Sequence, residues 1–346
     1  MRNLTKNKLK IGIIGPGAVG GVLSTLLAHK GFNIELTKKI KNDNEVVIDN
    51  TVYFDVTGEF GEISCLVPFV EYNNFSDKKD IIFVCTGAYH FERCLTDAVK
   101  QLKPNGVIVA IHNVISMDEL IKYVPVNKIV MWYIDWSAVR VDKREFFVYS
   151  NGDNHIGAFT SKLDMPLTTI QKVLNTISPT TIEHDFPAFM FSRFILDNTL
   201  MCMGALTGRT VGGFLNIKQG KKVFIELVSE QVEILRQANI PILPYQGLFD
   251  YEKFDENTIS GIFYRKKMIE RLIKQNGHVV SRVLRRIESN KRSEIDWLIG
   301  KSVEKANKYH VKAPYCHALY TCLKQIENKE RTICIENLHD EMFTKN

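Results

Sequence analysis

The chain of 346 residues carries 45 lysines and arginines against 39 acidic residues, a net charge of +6, and 45% of its residues are hydrophobic. These globular proportions exclude a disordered chain, a collagen-like repeat and a disulfide-dense miniprotein. The charge is too modest to require nucleic acid as a partner. At about 150 residues per domain, the length predicts two domains.

The cysteines and the apolar segments predict the compartment. Seven cysteines form no CxxC pair, so we expect a reduced environment and no metal site. The basic N-terminus runs directly into a strand-like segment, which is not typical of a signal peptide. The sequence has no uncharged apolar stretch of about eighteen residues, the length that a membrane span needs. We therefore expect a cytoplasmic protein without a membrane span.

The first half of the chain alternates short apolar runs with helical segments. Strands are predicted at residues 11–15, 33–37, 80–85, 107–111 and 128–133, with a helix over 19–30. Uninterrupted β-branched runs are typical of strands covered on both faces, which favours a parallel sheet with crossover helices. After Val139, a turn at Asn151 and Gly152 between short apolar runs predicts antiparallel edge strands.

The second half has the apolar spacing of helices. Helices are predicted over residues 188–206, 222–238, 258–274 and 294–308. The predicted fold class is therefore α/β, with a Rossmann-type, doubly wound parallel sheet in residues 1–181. An all-α domain follows in residues 182–346.

A glycine-rich turn follows the first strand. It has the GxGxxG pattern and consists of Gly15, Pro16, Gly17, Ala18, Val19 and Gly20. The first glycine permits a tight turn, the second lets the backbone approach a pyrophosphate, and the third lets the helix pack on the strand. The helix N-terminus adds unpaired amides and a positive dipole end. We predict a dinucleotide site here, the alternative being a glycine turn without a ligand.

The end of the second strand decides which dinucleotide is bound. An acid there accepts the ribose 2′-hydroxyl of NAD, whereas Lys38 and Lys39 attract a 2′-phosphate, which favours NADPH. Glu35 lies at the expected distance from Gly15, but it is mid-strand and its side-chain parity is opposite to that of Lys38. The alternative is that the two lysines form a solvated surface pair.

Five stretches together resemble the ketopantoate reductase family of NADPH enzymes. They are KIGIIGPGAVGG at the first strand, VIVAIHNVISMDEL around Asn113, NGDNHIG at 151–157, FSRFILDNTLMCMGALT at 191–207 and RSEIDWLIGKSVEKANKYHVKAP at 292–314. The resemblance implies an NADP-binding Rossmann domain and a helical domain for substrate and catalysis, with the active site in the cleft between them.

The same resemblance implies roles at individual positions. Gly15 to Gly20 hold the pyrophosphate, and Lys39 replaces an arginine that holds the 2′-phosphate. Asn113 contacts cofactor and substrate, Ala138 lines the nicotinamide side, and Glu294 orients the nicotinamide end of the cofactor. Asn113 can alternatively be a turn residue that closes a strand, and Glu294 can alternatively belong to a helix start.

Several family residues are replaced in this chain. A lysine followed by asparagines four and eight residues later is here Arg193, Asp197 and Met201, on one helical face. Val211 stands at a substrate-binding asparagine position, Arg282 at a serine position and Gly87 at a lysine position. These replacements leave the identity of the substrate open.

The remaining residues permit the reduction of a 2-keto acid. Arg193 can polarise the carbonyl but cannot be the acid, because a guanidinium is not deprotonated in any useful range. The proton then comes from water or from Asp197, while Arg282 binds the substrate carboxylate and Met201 lines the substrate site. The alternative is an ordinary Arg193–Asp197 helix pair beside a core methionine.

We predict an NADPH-dependent reductase that converts ketopantoate to pantoate in pantothenate biosynthesis. We expect a small-molecule substrate and no nucleic acid, membrane or metal, with homodimer formation left open. Two alternatives remain, a related reductase acting on another 2-keto acid or an imine, and a catalytically inactive NADPH-binding regulatory protein.

Overall fold

The computed structural model describes residues 9–38, 50–111, 120–244 and 249–343. Two compact units divide the chain, Met1–Phe186 and Pro187–Asn346. None of the helices in the described ranges is long and apolar enough to cross a membrane.

The first unit is built on one sheet. Its described strands are β1 (Lys10–Ile14), β2 (Asn33–Lys38), β3 (Thr51–Gly58), β4 (Ile63–Glu71), β5 (Lys79–Val84), β6 (Leu102–Ile111), β7 (Ile129–Ile134), β8 (Ser137–Arg140), β9 (Glu145–Ser150), β10 (Asn154–Gly157) and β11 (Thr180–Ile182). Their spatial order is β11-β10-β7-β6-β5-β1-β2-β4-β3-β9-β8. The stretch from β7 to β4 is parallel.

The α-helices that the structure describes beside this sheet are α1 (Ala18–His29), α2 (Ala88–Gln101) and α3 (Leu167–Leu174). α1 connects β1 to its neighbour β2, and α2 connects β5 to its neighbour β6. Parallel neighbours need such crossovers, and strands covered on both faces are apolar throughout. Ile11 and Ile13 of β1 and all of residues 81–84 in β5 are accordingly buried. The predicted α/β class with a doubly wound sheet is confirmed.

The sheet extends beyond the sequence prediction at one side. β3 and β4 pair antiparallel, with Val52 opposite Val67, and neither strand was predicted. The turn at Asn151 and Gly152 does not join neighbouring strands, because β9 lies between β3 and β8 while β10 pairs with β7. β9 is therefore an inner strand, whereas an edge position was predicted.

The second unit is helical in its described residues. Its helices are α4 (Phe186–Thr207, which begins at the unit boundary), α5 (Val211–Leu215), α6 (Lys218–Gln237), α7 (Tyr251–Asp255), α8 (Ile259–Asn276), α9 (Arg282–Glu288), α10 (Ile299–Lys308) and α11 (Pro314–Glu327). The predicted helices over 188–206, 222–238 and 258–274 correspond to α4, α6 and α8. The prediction of a helix from residue 294 was wrong at its start, since α10 begins at Ile299.

Candidate active site

The glycine turn after β1 has the geometry that its pattern predicts. Gly15 has φ +102°, and a Cβ there would lie 2.8 Å from Cγ2 of Thr86 and 2.9 Å from the carbonyl oxygen of Cys85. A Cβ at Gly20 would lie 2.0 Å from the carbonyl oxygen of Gly15. Both positions therefore exclude a side chain, one by conformation and one by the packing of α1 on β1.

Gly17, the second glycine of the turn, borders open space on the side where a side chain would project. A Cβ at Gly17 would meet nothing nearer than the Cys85 carbonyl oxygen at 3.9 Å, and α1 begins there without a side-chain cap. Helix α2 also begins after a glycine, Gly87, without a side-chain cap. Because β1 and β5 are parallel neighbours whose crossovers run to opposite sides, both helices begin at the switch point where doubly wound sheets bind ligands.

Two buried hydroxyl oxygens lie next to this turn. Oγ1 of Thr37 and Oγ1 of Thr86 have no hydrogen-bond partner within the described residues. Thr37 accepts a hydrogen bond from the Gly15 N–H through its carbonyl oxygen, at 3.1 Å, and Thr86 contacts the Gly15 position. Buried hydroxyls normally find a partner, so these atoms, the open Gly17 and the two helix N-termini fit an anionic group such as a pyrophosphate.

The one acid within the second strand is already engaged. The Glu35 carboxylate accepts hydrogen bonds from Nζ of Lys79 at 2.8 Å and from the backbone N–H of Ser76 at 3.0 Å. Partial burial opposes ionisation of Glu35, but the bonds from Lys79 and Ser76 outweigh it and hold its pKa below the ordinary value. Lys79 is only 2% exposed, so the pair belongs to the interior of the unit.

Of the other predicted cofactor residues of the first unit, Lys38 and Ala138 lie in described strands. Lys38 ends β2, opposite Glu71 of β4 in the register. Ala138 lies in β8 opposite Val148 and is packed against the core. Lys39 and Asn113 lie outside the described residues.

The structure also brings an unpredicted side chain to the turn. Nη1 of Arg140, at the end of β8, donates a hydrogen bond to the carbonyl oxygen of Pro16 at 3.3 Å. No sequence signal links these residues, because they are 124 positions apart. Thr86 was detectable in principle, since it directly follows a predicted buried strand, where parallel sheets place ligand contacts.

In the second unit, α4 carries the three replaced family positions. Arg193, Asp197 and Met201 recur every four residues within Phe186–Thr207, which puts them on one face of the helix. Arg193 is 4% exposed, and its guanidinium carbon lies 4.7 Å from the ring centroid of Phe189. Asp197 and Met201 are half-buried.

Two further predicted residues meet near the C-terminal part of this face. Nε of Arg282 lies 3.4 Å from Oε2 of Glu294. Ser281, the N-cap of α9, donates its hydroxyl hydrogen to the carbonyl oxygen of Met201 at 2.6 Å. Arg282 is therefore paired with Glu294, and the residue before Arg282 is bonded to the Met201 backbone, which places the start of α9 beside α4.

Glu294 is held in a turn before α10. Its carbonyl oxygen accepts the N–H groups of Trp297 and Leu298, at 3.1 and 3.0 Å. The preceding Ser293 donates through its N–H and its hydroxyl to Oε1 of Glu327, at 3.0 and 2.6 Å. Lys324 binds the other Glu327 oxygen at 2.6 Å. This anchoring replaces the helix start that the sequence suggested.

A buried polar cluster fixes α4 against its neighbours. Nδ2 of Asn198 donates to Oε1 of Gln231 on α6 at 2.7 Å and to Oγ of Ser302 on α10 at 3.1 Å. Nε2 of Gln231 donates to Oγ1 of Thr199 at 2.7 Å. All four side chains are buried, and satisfied networks of this kind specify one packing arrangement. The neighbouring Asp197 therefore projects from a helix of fixed rotation.

Comparisons with known proteins agree with this architecture. The model of the family described as ketopantoate reductase PanE/ApbA matches residues 11–161, and the model of its C-terminal part matches residues 188–327. The chain belongs to the ketopantoate reductase family. The family consists of oxidoreductases, and the resemblance predicted from the sequence is confirmed.

The relatives of this family member are distant in sequence. The 2-dehydropantoate 2-reductase of Lactococcus lactis is 21% identical over 318 residues, covering 90% of this chain and 96% of the relative. The structure of D-mandelate dehydrogenase with NADH and anilino(oxo)acetate has a TM-score of 0.77 at 18% identity, covering 93% and 99% of the two chains. A dimeric ketopantoate reductase from Staphylococcus aureus has a TM-score of 0.70 at 12% identity, covering 93% and 100%. These structural likenesses show the shared fold.

Proposed function

We propose that this family member catalyses the NADPH-dependent reduction of a small 2-keto acid, with 2-dehydropantoate as substrate and pantoate as product. The observation that carries the proposal is the Gly15 to Gly20 turn, which lies at the switch point of the sheet and is open at Gly17. The proposal assigns the nucleotide to residues 1–181 and the keto acid to residues 182–346.

The preference for NADPH is supported by the surroundings of β2. Oε2 of Glu35 binds the buried Lys79 and the Ser76 N–H, which holds this carboxylate beside an interior cation and not at the end of the strand, where a ribose-binding acid is expected. Lys38 ends the strand and Lys39 follows it in the sequence, and cations there favour a 2′-phosphate. The D-mandelate dehydrogenase structure contains NADH, which makes the choice of cofactor an experimental question. We expect a much lower KM for NADPH than for NADH, and equal values contradict the assignment.

The reaction adds a hydride to the carbonyl carbon and a proton to the carbonyl oxygen. When bound, the reduced nicotinamide supplies the hydride. Arg193 is assigned the polarisation of the carbonyl and the stabilisation of the developing alkoxide. Because its guanidinium keeps its protons, Asp197 on the next turn or a water molecule supplies the proton.

Arg282 and Glu294 are assigned the orientation of substrate and cofactor. Nε of Arg282 faces Glu294 at 3.4 Å, but a guanidinium has five N–H donors, so others remain for a substrate carboxylate. Arg282 is 48% exposed, which keeps it accessible. Asn113 and Ala138 are assigned contacts with the nicotinamide end of the cofactor, Asn113 also contacts substrate, and Met201 is assigned to the wall of the substrate site.

Reduction of another 2-keto acid is the second candidate. The residues Arg193, Asp197 and Met201 replace the lysine and asparagines implied by the resemblance, which favours a changed substrate. A panel of 2-keto acids including 2-dehydropantoate, assayed by loss of NADPH absorbance, separates the candidates. Turnover of 2-dehydropantoate supports the first and turnover of a different keto acid alone supports the second. Tight NADPH binding without any turnover indicates a regulatory protein and contradicts both.

A further inference from the structure

We propose that Arg140 is a positioning residue for the cofactor turn, which holds the carbonyl of Pro16 and thereby directs the Gly17 N–H toward the pyrophosphate. The inference rests on the proposed function, since it requires a dinucleotide at this turn. It adds a residue to the nucleotide site that neither the glycine pattern nor the family resemblance indicated.

The Arg140 guanidinium joins two turns of the first unit. Nε donates to the carbonyl oxygen of Asp142 at 3.1 Å, and Nη2 donates to that of Lys143 at 2.5 Å. Both acceptors belong to the turn between β8 and β9. Nη1 donates to the carbonyl oxygen of Pro16 at 3.3 Å, so the side chain links the β8–β9 turn to the glycine turn.

Strand β9, which pairs with the strand that carries Arg140, packs on α1. The ring of Phe146 in β9 fills the space beside Gly21, where a Cβ would lie 2.1 Å from the ring. The Arg140 guanidinium carbon lies 6.0 Å from the centroid of the same ring. Because the interior is close-packed, the distance between Arg140 and the start of α1 is fixed by this contact.

The peptide geometry converts the Pro16 contact into an orientation of the Gly17 amide. A trans peptide is planar, so the C=O of Pro16 and the N–H of Gly17 point in opposite directions. Proline has no N–H, which makes Gly17 the first donor that the turn offers after Gly15. Glycine tolerates many backbone conformations, so a hydrogen bond to the Pro16 carbonyl restrains a peptide that is otherwise free to rotate.

An arginine is required for this role because three acceptors are held at once. Its planar fork presents donors in fixed directions, whereas a lysine ammonium is a single flexible point charge. A lysine at position 140 therefore keeps the positive charge but loses the fixed bridge. This difference separates orientation of the peptide from simple attraction of an anion.

The test compares ligand dissociation constants measured by calorimetry for the wild type, Arg140→Gln, Arg140→Lys and the control Arg144→Gln. Arg144 lies in the same hairpin, and its substitution removes the same charge. Its backbone carbonyl accepts the N–H of Asp55, a bond that the substitution leaves in place. The ligands are NADPH, ADP-ribose, which has a pyrophosphate, and adenosine 2′-monophosphate, which has none. The thermal midpoint of each variant reports its folding.

We expect both Arg140 variants to bind NADPH and ADP-ribose about tenfold more weakly. Binding of adenosine 2′-monophosphate should stay within about twofold, and Arg144→Gln should resemble the wild type with all three ligands. Arg140→Lys binding like the wild type overturns the inference, as does an equal loss for adenosine 2′-monophosphate or no loss in Arg140→Gln. If the wild type binds none of the three ligands, the proposed function itself fails.

Discussion

Arg193 is the residue to which the proposed reduction assigns polarisation of the substrate carbonyl. Its guanidinium is 4% exposed and stacked on Phe189. A buried, fixed charge stabilises a developing alkoxide more strongly than a solvated charge, because it needs no reorganisation and is poorly screened. A guanidinium cannot supply a proton, so the proposed reaction divides polarisation and protonation between Arg193 and another group.

Substitution of Arg193 tests this division. We expect Arg193→Ala to lower kcat by about 10² to 10³, the usual cost of losing one preorganised oxyanion donor. Arg193→Lys should retain part of the activity and acquire a pH dependence, since an ammonium in a partly buried site can titrate. Steady-state kinetics across pH measure both effects.

A control substitution shows whether a lower kcat comes from the general loss of a positive charge or of stability and not from the loss of Arg193 itself. Arg209→Ala removes the same charge from the same unit, and we expect its kcat to be unchanged. Thermal midpoints of all variants show whether the core around Phe189 is preserved. Full activity in Arg193→Ala, or full activity with an unaltered pH profile in Arg193→Lys, contradicts a dedicated guanidinium.

Among single residues, the sequence predicts those whose role is set by neighbouring positions and misses those whose partners lie in other elements. Gly15 and Gly20 could be assigned because their constraint comes from the adjacent strand and helix. The ion pair of Glu35 with Lys79 and that of Arg282 with Glu294 depend on how separate elements pack. No spacing rule within the sequence encodes those contacts.

Among the elements, α11 begins with an unusual cap. Its N-cap residue is Ala313, which has no side-chain acceptor. The carboxylate of Glu230 on α6 accepts the N–H groups of Tyr315 and Cys316 instead, at 2.8 and 2.7 Å. Burial raises the pKa of Glu230 above its ordinary value, although these two hydrogen bonds act in the opposite direction.

Removal of this cap is expected to destabilise the protein. Glu230→Ala leaves two buried N–H groups without their acceptor, at a cost of about 1–3 kcal/mol. Because the folded-state pKa of Glu230 is raised, the folded protein binds its proton more tightly than the unfolded chain does. The contribution of Glu230 therefore decreases as pH rises from its ordinary pKa through the raised value. We expect a larger loss near about pH 5, close to the ordinary pKa, than near about pH 8.

Urea denaturation of the wild type and Glu230→Ala at both pH values measures this difference. Glu226→Ala is the control, because it removes a carboxylate from the same helix one turn earlier and its charge is the smallest of the causes that shift the Glu230 pKa. Its free energy of unfolding should stay within about 0.5 kcal/mol of the wild type. A Glu230→Ala loss that grows with pH contradicts the assigned direction of the pKa.

Element prediction follows the strength of the local pattern. β1, β5 and β7 each contain a continuous run without polar side chains and were predicted within a residue or two. β3 and β4 alternate buried and exposed positions with polar residues between, so they lack the signal of a doubly covered strand. The start of α10 was misplaced because residues 294–298 have helical spacing, while the bonds from Ser293 to Glu327 hold them in a turn.

The net charge of the whole molecule affects how readily an anionic ligand approaches it. A net charge of +6 favours the approach of an anionic nucleotide, and ionic strength weakens that attraction. The order of the family motifs along the chain allowed the overall architecture to be predicted. The substrate could not be predicted, because the positions to which the resemblance assigns its recognition, among them Arg193 and Met201, are the ones that are replaced.

Ligand-linked stability gives a test of the nucleotide site on the intact chain. At a concentration of about 100 times its Kd, a ligand that binds only the folded state stabilises it by about 2.7 kcal/mol. We expect this gain with NADPH in the wild type. Gly17→Val should lose it, because the valine side chain occupies the open space above the turn. The substitution itself should be tolerated, since Gly17 has φ −71° and its Cβ would meet only the Cys85 carbonyl oxygen at 3.9 Å.

Denaturation curves with and without NADPH separate the two effects. The ligand-free stability of Gly17→Val should match that of the wild type, whereas its response to NADPH should disappear. Gly15→Ala is the contrasting variant, because φ +102° and the contact with Thr86 make it costly before any ligand is added. An undiminished NADPH response in Gly17→Val places the nucleotide elsewhere, because a bound pyrophosphate and a valine side chain cannot share the space above this turn.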